Sequence, residues 1–225
     1  MSRLGKQLGQ VVAALDRIDA AYALIGGLAL ASHKVVRATM DIDLLTELRS
    51  ADEVHDVLLA LDYRCAHRST DAATYLRDDE RIDLLYASRP IARRLLDGAA
   101  TRETSFGVLR VVSPEGLIGF KLLGLVNDPR RTQDLEDIRA LLRANRTTLD
   151  IDEIREYFRL FERDSPEPFT SVHTHPSLMA GSGARCGSTE RDPYETLDDL
   201  MCVIEELCPR WPPRPIHDEG TALLL

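Results

Sequence analysis

The amino-acid sequence predicts an α+β fold, in which a mixed β-sheet is flanked by helices and followed by a helical C-terminal part. Short apolar runs bounded by turn residues alternate with amphipathic, helix-like segments as far as residue 163. Beyond that point the chain is rich in Pro, Gly and Ser, a composition typical of linkers and loops. We therefore predict a sheet-containing domain at 1–112, a helical region completing the body at 113–163, and a linker with a short helical appendage at 164–225.

The individual elements follow from the spacing of apolar residues. A helix is predicted at 4–18, because apolar residues recur every three or four positions from Leu4 to Leu15. Ser113 before Pro114 predicts another helix start, since serine favours the N-cap and proline the first helical position. Asp152 and Glu153 favour the first turn of the last helix of the body. Strands are predicted near 22–25, 41–46, 63–66, 73–77, 81–86 and 108–112, and helices near 27–34, 51–61, 89–97, 114–125, 131–144 and 151–162.

The most informative feature of the chain is the pair of carboxylates at Asp41 and Asp43, which are separated by one apolar residue. Side chains at positions i and i+2 of a strand point the same way, so both carboxylates project from one surface. Their mutual repulsion raises one pKa unless a cation lies between them. Carboxylate oxygens suit Mg²⁺, which commonly shares its remaining positions with waters and substrate phosphates. The pair therefore predicts metal-assisted phosphate chemistry.

A glycine pair lies a short distance before these carboxylates. The apolar run 23–25 predicts a buried strand, and it ends in Gly26 and Gly27 before a helix-like segment. Glycines at such a turn let the backbone approach a phosphate, and the free N–H groups of a helix start favour an anion. A glycine pair alone is usually an ordinary turn. Followed at this distance by Arg37, Thr39 and the two aspartates, it predicts a nucleotide-phosphate site.

The order strand, Gly26-Gly27, helix, Arg37-x-Thr39-x-Asp41-x-Asp43 resembles the nucleotidyltransferase superfamily, the fold shared with DNA polymerase β. Within it the chain most resembles the AbiEii-type toxins of type IV toxin–antitoxin systems and their uncharacterised bacterial relatives. The resemblance covers residues 20–160 and makes 1–112 the catalytic domain. One departure is that many superfamily members carry Gly-Ser where this chain has Gly26-Gly27, so here backbone N–H groups are expected to hold the phosphates.

The resemblance also implies a third carboxylate on a neighbouring strand, and Asp83 in the run 81–86 supplies it. Asp41, Asp43 and Asp83 would then hold two Mg²⁺ ions, with Asp83 taking the proton of the attacking hydroxyl. The family's later Lys-x(6)-Asp/Thr pattern matches Lys121 through Asp128. The nucleotide-binding set is completed by residues expected to contact the NTP: Gly26, Gly27, Arg37, Thr39, Lys121 and Asp134.

Each of these assignments has a simpler alternative. Asp83 could form a salt bridge with Arg81 or Arg77 rather than bind metal. Lys121 lies in an apolar helix, and its side chain could extend outward to solvent instead of contacting the triphosphate. For Asp137, one helical turn from Asp134, an ordinary ion-pair network is favoured.

The resemblance implies transfer of a nucleotide from an NTP to an acceptor hydroxyl, with the 3′ end of a tRNA as the first candidate acceptor and a protein side chain as the second. A toxin of this kind would have a cognate antitoxin protein as a partner. Two alternatives stay open: a non-catalytic or antitoxin-like nucleotide-binding module, and a small-molecule nucleotidyltransferase of the aminoglycoside type.

Charge and composition limit the classes to which the protein can belong. The net charge is −9, of which −6 lies in residues 165–225, whereas residues 89–146 carry a net +4. A basic middle suits triphosphate and RNA, although solvated helix faces explain it equally well. No segment approaches the roughly 18 apolar residues that span a bilayer, so no membrane partner is predicted. The four cysteines lack C-x-x-C spacing, which favours reduced thiols and a cytoplasmic protein.

The C-terminal appendage contains a motif that resembles a metal site. His173 and His175 in an H-x-H-P run, with Cys186 nearby, offer zinc-ligand chemistry. The run resembles the zinc protease site that cleaves ubiquitin-like tags, but the aspartate that such a site requires is replaced here by Arg185. The spacing also matches no common structural zinc site, so we predict solvated loop histidines. A helix is predicted at 194–207.

Overall fold

The computed structural model describes residues 2–128 and 130–164, which form a seven-stranded mixed sheet with helices around it. This confirms the predicted fold class. The helices are α1 Arg3–Arg17, α2 Gly26–Ser32, α3 Ala51–Ala60, α4 Pro90–Asp97, α5 Pro114–Asn127, α6 Thr132–Asn145 and α7 Ile151–Asp164. The strands are β1 Tyr22–Leu24, β2 Ile42–Thr46, β3 Arg64–Arg68, β4 Ala72–Arg77, β5 Glu80–Tyr86, β6 Ala100–Thr104 and β7 Gly107–Val111.

The strand order β3-β4-β5-β2-β1-β7-β6 places β2 and β5 next to each other in the middle of the sheet. These two strands are parallel, as are β1 and β7, and the remaining neighbours are antiparallel. Every predicted strand is present. Strand β6 was not predicted, because its sequence (ATRET) is polar and mostly exposed and shows no apolar alternation. It forms a strand through its antiparallel pairing with β7.

The two faces of the sheet differ in composition. On one face Leu44 and Leu84 are 0% and 1% exposed, and this face is covered by helix α3, whose His55 Nδ1 lies 2.9 Å from the Tyr75 hydroxyl. The opposite face carries the side chains at alternate positions of β2 and β5, including Asp43 and Asp83. Only part of this second face is covered by helices, which leaves the carboxylates half-buried.

Both predicted helix starts are capped as expected. Ser113 Oγ accepts a hydrogen bond from the Gly116 N–H at 3.0 Å, with Pro114 at the first helical position of α5. The Asp150 carboxylate accepts one from the Glu153 N–H at 3.0 Å before α7. Substituting such a cap by alanine costs about 1 kcal/mol, so these local signals help to define where the first and the last helix of the helical part begin.

Helices α5, α6 and α7 pack together beside the sheet, and α5 and α7 also contact the elements of 1–112. A buried histidine connects the sheet-containing part to the helical part. His33, at the end of α2, is 3% exposed; its Nε2 lies 2.7 Å from the Val112 carbonyl, and its own carbonyl accepts a hydrogen bond from Asn145 Nδ2 at 3.2 Å. These contacts link helix α2, which begins at Gly26-Gly27, to the start of α5 and to α6.

Burial lowers the pKa of His33 below its ordinary value. Between that lowered pKa and the unfolded value near 6.5, the unfolded chain binds more protons than the folded one. Stability therefore falls as the pH drops below about 6.5. We expect His33→Gln to flatten this decline when the free energy of unfolding is measured by urea titration between pH 7 and pH 5. His67→Gln, at an exposed position of β3, is the control and should leave the slope as it is in the unmodified chain; an equal slope in both variants would contradict the assignment.

Several predictions about the C-terminal part lie outside the described residues, namely the helix at 194–207 and the loop with His173, His175 and Cys186. The proposed boundary at 164 likewise stays a prediction. Within the ranges that the structure describes, no helix is long and apolar enough to cross a membrane.

Candidate active site

The structure brings Asp43 and Asp83 together at the middle of the sheet. They are direct partners in the parallel pairing of β2 and β5, so their side chains lie on the same face of strands about 4.8 Å apart. Asp41 was predicted within a strand, but β2 begins at Ile42. Asp41 therefore immediately precedes the strand, and it acts on Asp43 through its charge.

The environment of Asp43 disfavours a negative charge. Its pKa is raised to about 6, first by burial and then by the neighbouring charges of Asp83 and Asp41. A hydrogen bond from the Gly27 backbone and the positive charge of Lys121 act in the opposite direction. A cation placed among these three carboxylates would offset their repulsion.

Asp83 has two partners on its own part of the sheet. Arg81, two residues earlier on β5, donates from Nε to Oδ2 at 2.7 Å and from its Nη2 to Oδ1 at 3.1 Å. Thr74, opposite Asp83 on β4, donates its hydroxyl to Oδ1 at 2.7 Å. Arg77 instead pairs with Glu80. The Arg81 side chain is 49% exposed, so it has room to move aside for another cation.

The glycine pair fits closely against the carboxylate site. Gly26 has φ +61°, and a Cβ atom at that position would lie 2.0 Å from Asp43 Oδ2. A Cβ on Gly27 would lie 2.7 Å from Cβ of Thr39. Any larger residue at Gly26 would therefore need both a strained backbone and a displaced Asp43. The turn that was predicted to approach phosphate is thus the turn that positions Asp43.

Gly26→Ala should lower the free energy of unfolding by about 1–3 kcal/mol, because an L-residue is strained at this φ. It should also weaken NTP binding and transfer at least tenfold, because Asp43 must move. Gly107→Ala is the control: Gly107 has φ +115°, yet nothing lies within 4 Å of its would-be Cβ. That variant should lose stability but keep NTP affinity, measured by calorimetric titration. Equal losses of affinity in both variants would show that Asp43 displacement is irrelevant.

A second charged cluster lies in the helical part of the body. Lys121 is 6% exposed, and its Nζ lies 2.7 Å from Asp134 Oδ1 and 2.7 Å from Asp137 Oδ2. Arg37 Nε lies 3.0 Å from Asp137 Oδ1, and Arg131 Nε lies 2.7 Å from Asp134 Oδ2. Lys121 therefore does not extend to solvent. The network expected for Asp137 is present and also includes Asp134.

The predicted site residues thus fall into two groups. Asp43, Asp83, Gly26, Gly27 and Thr39 surround the middle of the sheet, with Asp41 at the start of β2. Lys121, Asp134 and Arg37 belong to the buried ion-pair network, where each already has a partner of opposite charge. The two groups interact electrostatically, because the positive charge of Lys121 lowers the pKa of Asp43.

Thr74 was not identified from the sequence, although a signal for it existed. The short hairpin between β4 and β5 pairs Arg77 with Glu80, and counting back along it places Thr74 opposite Asp83. Asp137, for which the sequence favours an ordinary ion-pair network, connects Arg37 to Lys121. In 2–128 and 130–164, no three His, Cys, Asp or Glu side chains are already gathered as a metal site. The donors nevertheless suit Mg²⁺ chemically, because they are carboxylates whose negative charges repel one another on one face of the sheet.

Comparisons with known proteins agree with this fold. A family model described as aminoglycoside-2″-adenylyltransferase matches residues 7–91, the part that contains Gly26, Gly27 and all three carboxylates. The solution structure of the antibiotic-resistance factor ANT(2″)-Ia superposes with a TM-score of 0.54 and 19% identity, covering 71% of this chain and 91% of that one. The crystal structure of ANT(2″)-Ia with adenylyl-2″-tobramycin gives 0.57 and 17% identity over 73% and 100%. No match was found among curated proteins.

The chain has a nucleotidyltransferase fold, and the family match at 7–91 supports a nucleotidyltransferase enzyme. The match to the aminoglycoside-2″-adenylyltransferase model covers the sheet-containing part as far as the start of α4. The resemblance to AbiEii-type toxins stays a prediction from the sequence.

Proposed function

We propose that the protein transfers a nucleoside monophosphate from an NTP to an acceptor hydroxyl and releases pyrophosphate, with Asp41, Asp43 and Asp83 as its Mg²⁺ ligands. The observation that carries this proposal is the register that pairs Asp43 with Asp83, next to a Gly26 that no side chain could replace without displacing Asp43. Mg²⁺ would supply charge neutralisation on the phosphates and a lowered pKa of the acceptor hydroxyl. The proton of the hydroxyl and the triphosphate are assigned to side chains and backbone groups of this chain.

Asp83 is the proposed acceptor of the hydroxyl proton. Asp83 can take the proton only after Arg81 has released its carboxylate, because the guanidinium donates hydrogen bonds to both carboxylate oxygens. The exposed Arg81 is then free to contact the negatively charged phosphates. Thr74, which donates to Oδ1 at 2.7 Å, keeps the carboxylate oriented while Arg81 moves.

The triphosphate is assigned to the backbone of Gly26 and Gly27 and to Arg37, whose side chain is 30% exposed although Nε pairs with Asp137. Lys121 is 7% exposed in its side chain and is held by two carboxylates. It reaches the triphosphate only if one of those contacts opens. We therefore assign Lys121 to the nucleotide site through Asp137, which it shares with Arg37, and through its charge near Asp43. Asp134 holds Lys121 in place.

Two classes of acceptor are supported, by different observations. The 3′ end of a tRNA, with a cognate antitoxin as partner, follows from the sequence resemblance to AbiEii-type toxins. A small-molecule acceptor follows from the family match at 7–91 and from the fold shared with ANT(2″)-Ia, whose structure holds adenylyl-2″-tobramycin.

A labelling experiment separates these acceptors. The purified full chain is incubated with Mg²⁺ and each α-labelled NTP, together with total cell RNA in one arm, total cell protein in a second and tobramycin in a third. Label in the RNA supports the toxin function, and label in the small molecule supports an antibiotic-type transferase. Binding of NTP without transfer to any acceptor tested, including cell protein, would favour a non-catalytic module instead. If the chain neither binds nor transfers any NTP, the proposed function is wrong.

A further inference from the structure

An apolar pocket adjoins the proposed carboxylate site. It lies between the sheet and helices α4 and α5, has a volume of about 170 Å³, and is partly open. Its walls include Leu45 of β2 and Leu85 of β5. These residues follow Asp43 and Asp83 by two positions, so all four side chains lie on one face of the sheet, about 6–7 Å apart along each strand. Ile25, which directly precedes Gly26, forms another wall.

Apolar side chains form most of this pocket. They come from β1–α2, β2, β5, α4 and α5, and include Ile25, Leu45, Leu85, Ala92, Phe120 and Leu123. Of the polar residues at its edge, Asp71 already accepts a hydrogen bond from Ser88 Oγ at 2.7 Å. The remaining charged residue there is the cationic Arg89. The pocket thus offers a polycationic ligand little that is anionic, and it favours an uncharged, apolar one.

The pocket differs from an ordinary packing defect of the core. On the opposite face of the same strands, Leu44 and Leu84 are 0% and 1% exposed. On the pocket face Leu45 is also buried, at 2%, but Leu85, Phe120 and Leu123 are only partly buried, although they surround a concave space. A cavity of about 150 Å³ lined by Leu, Ile and Phe is large enough to bind benzene. The space here suits a group of the size of one six-membered ring.

Resting on the proposed function, we infer that this pocket binds an apolar, ring-sized group of the acceptor, next to the hydroxyl that receives the nucleotide. A hydroxyl one or two bonds from a group seated against Leu45 and Leu85 would lie toward Asp43 and Asp83. The acceptor is then a small organic alcohol with an apolar side, rather than a compound that is cationic on every side.

Benzyl alcohol is the probe for this inference. Its binding to the full chain is measured by ligand-observed NMR without metal or nucleotide, so that the readout does not depend on catalysis. We expect saturable binding to the unmodified chain. Ala92→Phe, which fills the pocket from α4, should weaken binding at least tenfold. Ala13→Phe, at an exposed position of α1, makes the same change elsewhere and should leave binding unaltered.

The outcomes separate the pocket from the proposed function. If Ala92→Phe does not fold, as judged by circular dichroism, Ala92→Leu makes the same test with a smaller side chain. The inference is overturned if benzyl alcohol does not bind the unmodified chain, or binds the Ala92 and Ala13 variants equally. Binding of ATP with Mg²⁺ is measured in parallel by calorimetry. Loss of ATP binding with retained benzyl alcohol binding would remove the nucleotidyl-transfer proposal and the acceptor role, while the apolar site itself would stand.

Discussion

Asp43→Asn is expected to reduce nucleotidyl transfer by about 10²–10³-fold or more, the cost of removing one preorganised electrostatic group from a catalytic site. Asparagine has nearly the same shape as aspartate but carries no charge. It should therefore fit beside Gly26, where the carboxylate Oδ2 leaves no room for a Cβ. The loss of activity would then report the loss of a metal ligand rather than a change of fold. Transfer of label from an α-labelled NTP is the measurement.

The same substitution should leave stability unchanged or raise it. Burial and the charges of Asp83 and Asp41 all disfavour an ionised Asp43, so at neutral pH and without metal the neutral amide relieves repulsion. Urea titration in a chelator measures this effect. Asp56→Asn, at an exposed position of α3, is the matched control and should change neither transfer nor stability. Undiminished transfer by the Asp43 variant would overturn the metal assignment, whatever its stability.

Lys121→Met is expected to lower the free energy of unfolding by about 3 kcal/mol. Removing one partner of a buried ion pair leaves an uncompensated charge, which typically costs about 3–5 kcal/mol. Lys121 lies 2.7 Å from both Asp134 and Asp137, and all three side chains are less than 10% exposed. Arg131 and Arg37 remain on the two aspartates, so we expect the lower end of that range. Methionine keeps the length of the side chain, which limits the cavity left behind.

Nucleotide binding gives this variant a second readout. If Lys121 contacts the triphosphate directly, NTP affinity should fall about ten- to a hundredfold, as expected for loss of a charge-assisted contact of about 1.5–3 kcal/mol. If it acts only within the ion-pair network, affinity should change less than the stability does. Calorimetry is carried out at a temperature where the variant is fully folded. Lys6→Met, at an exposed position of α1, should change stability by no more than about 0.5 kcal/mol. An equally small change for Lys121→Met would mean that the buried network contributes nothing.

The sequence alone predicted most of the secondary structure, and it placed Asp43 and Asp83 on separate strands of the sheet. Helix α5 begins at Ser113-Pro114 as predicted, because capping preferences depend on neighbouring residues only. The period-two pattern of β2 likewise identified Asp43 as a polar residue between buried ones. The Gly26-Gly27 pair was recognised for the same reason, since a turn that requires φ above zero carries a local signature.

Other features depend on contacts between distant segments, which local sequence patterns do not encode. Strand β6 exists because β7 supplies its hydrogen bonds, and nothing within residues 100–104 signals that partner. The sequence around Lys121 is compatible with a triphosphate contact or with a lysine that extends to solvent. Its partners Asp134 and Asp137 lie on another helix, so only the packing of α5 against α6 shows that it is buried between them. The apolar pocket beside Asp43 and Asp83 depends in the same way on five separate segments meeting. Pairing and burial between distant segments are set by their packing, and the sequence of each segment encodes only its own conformational preference.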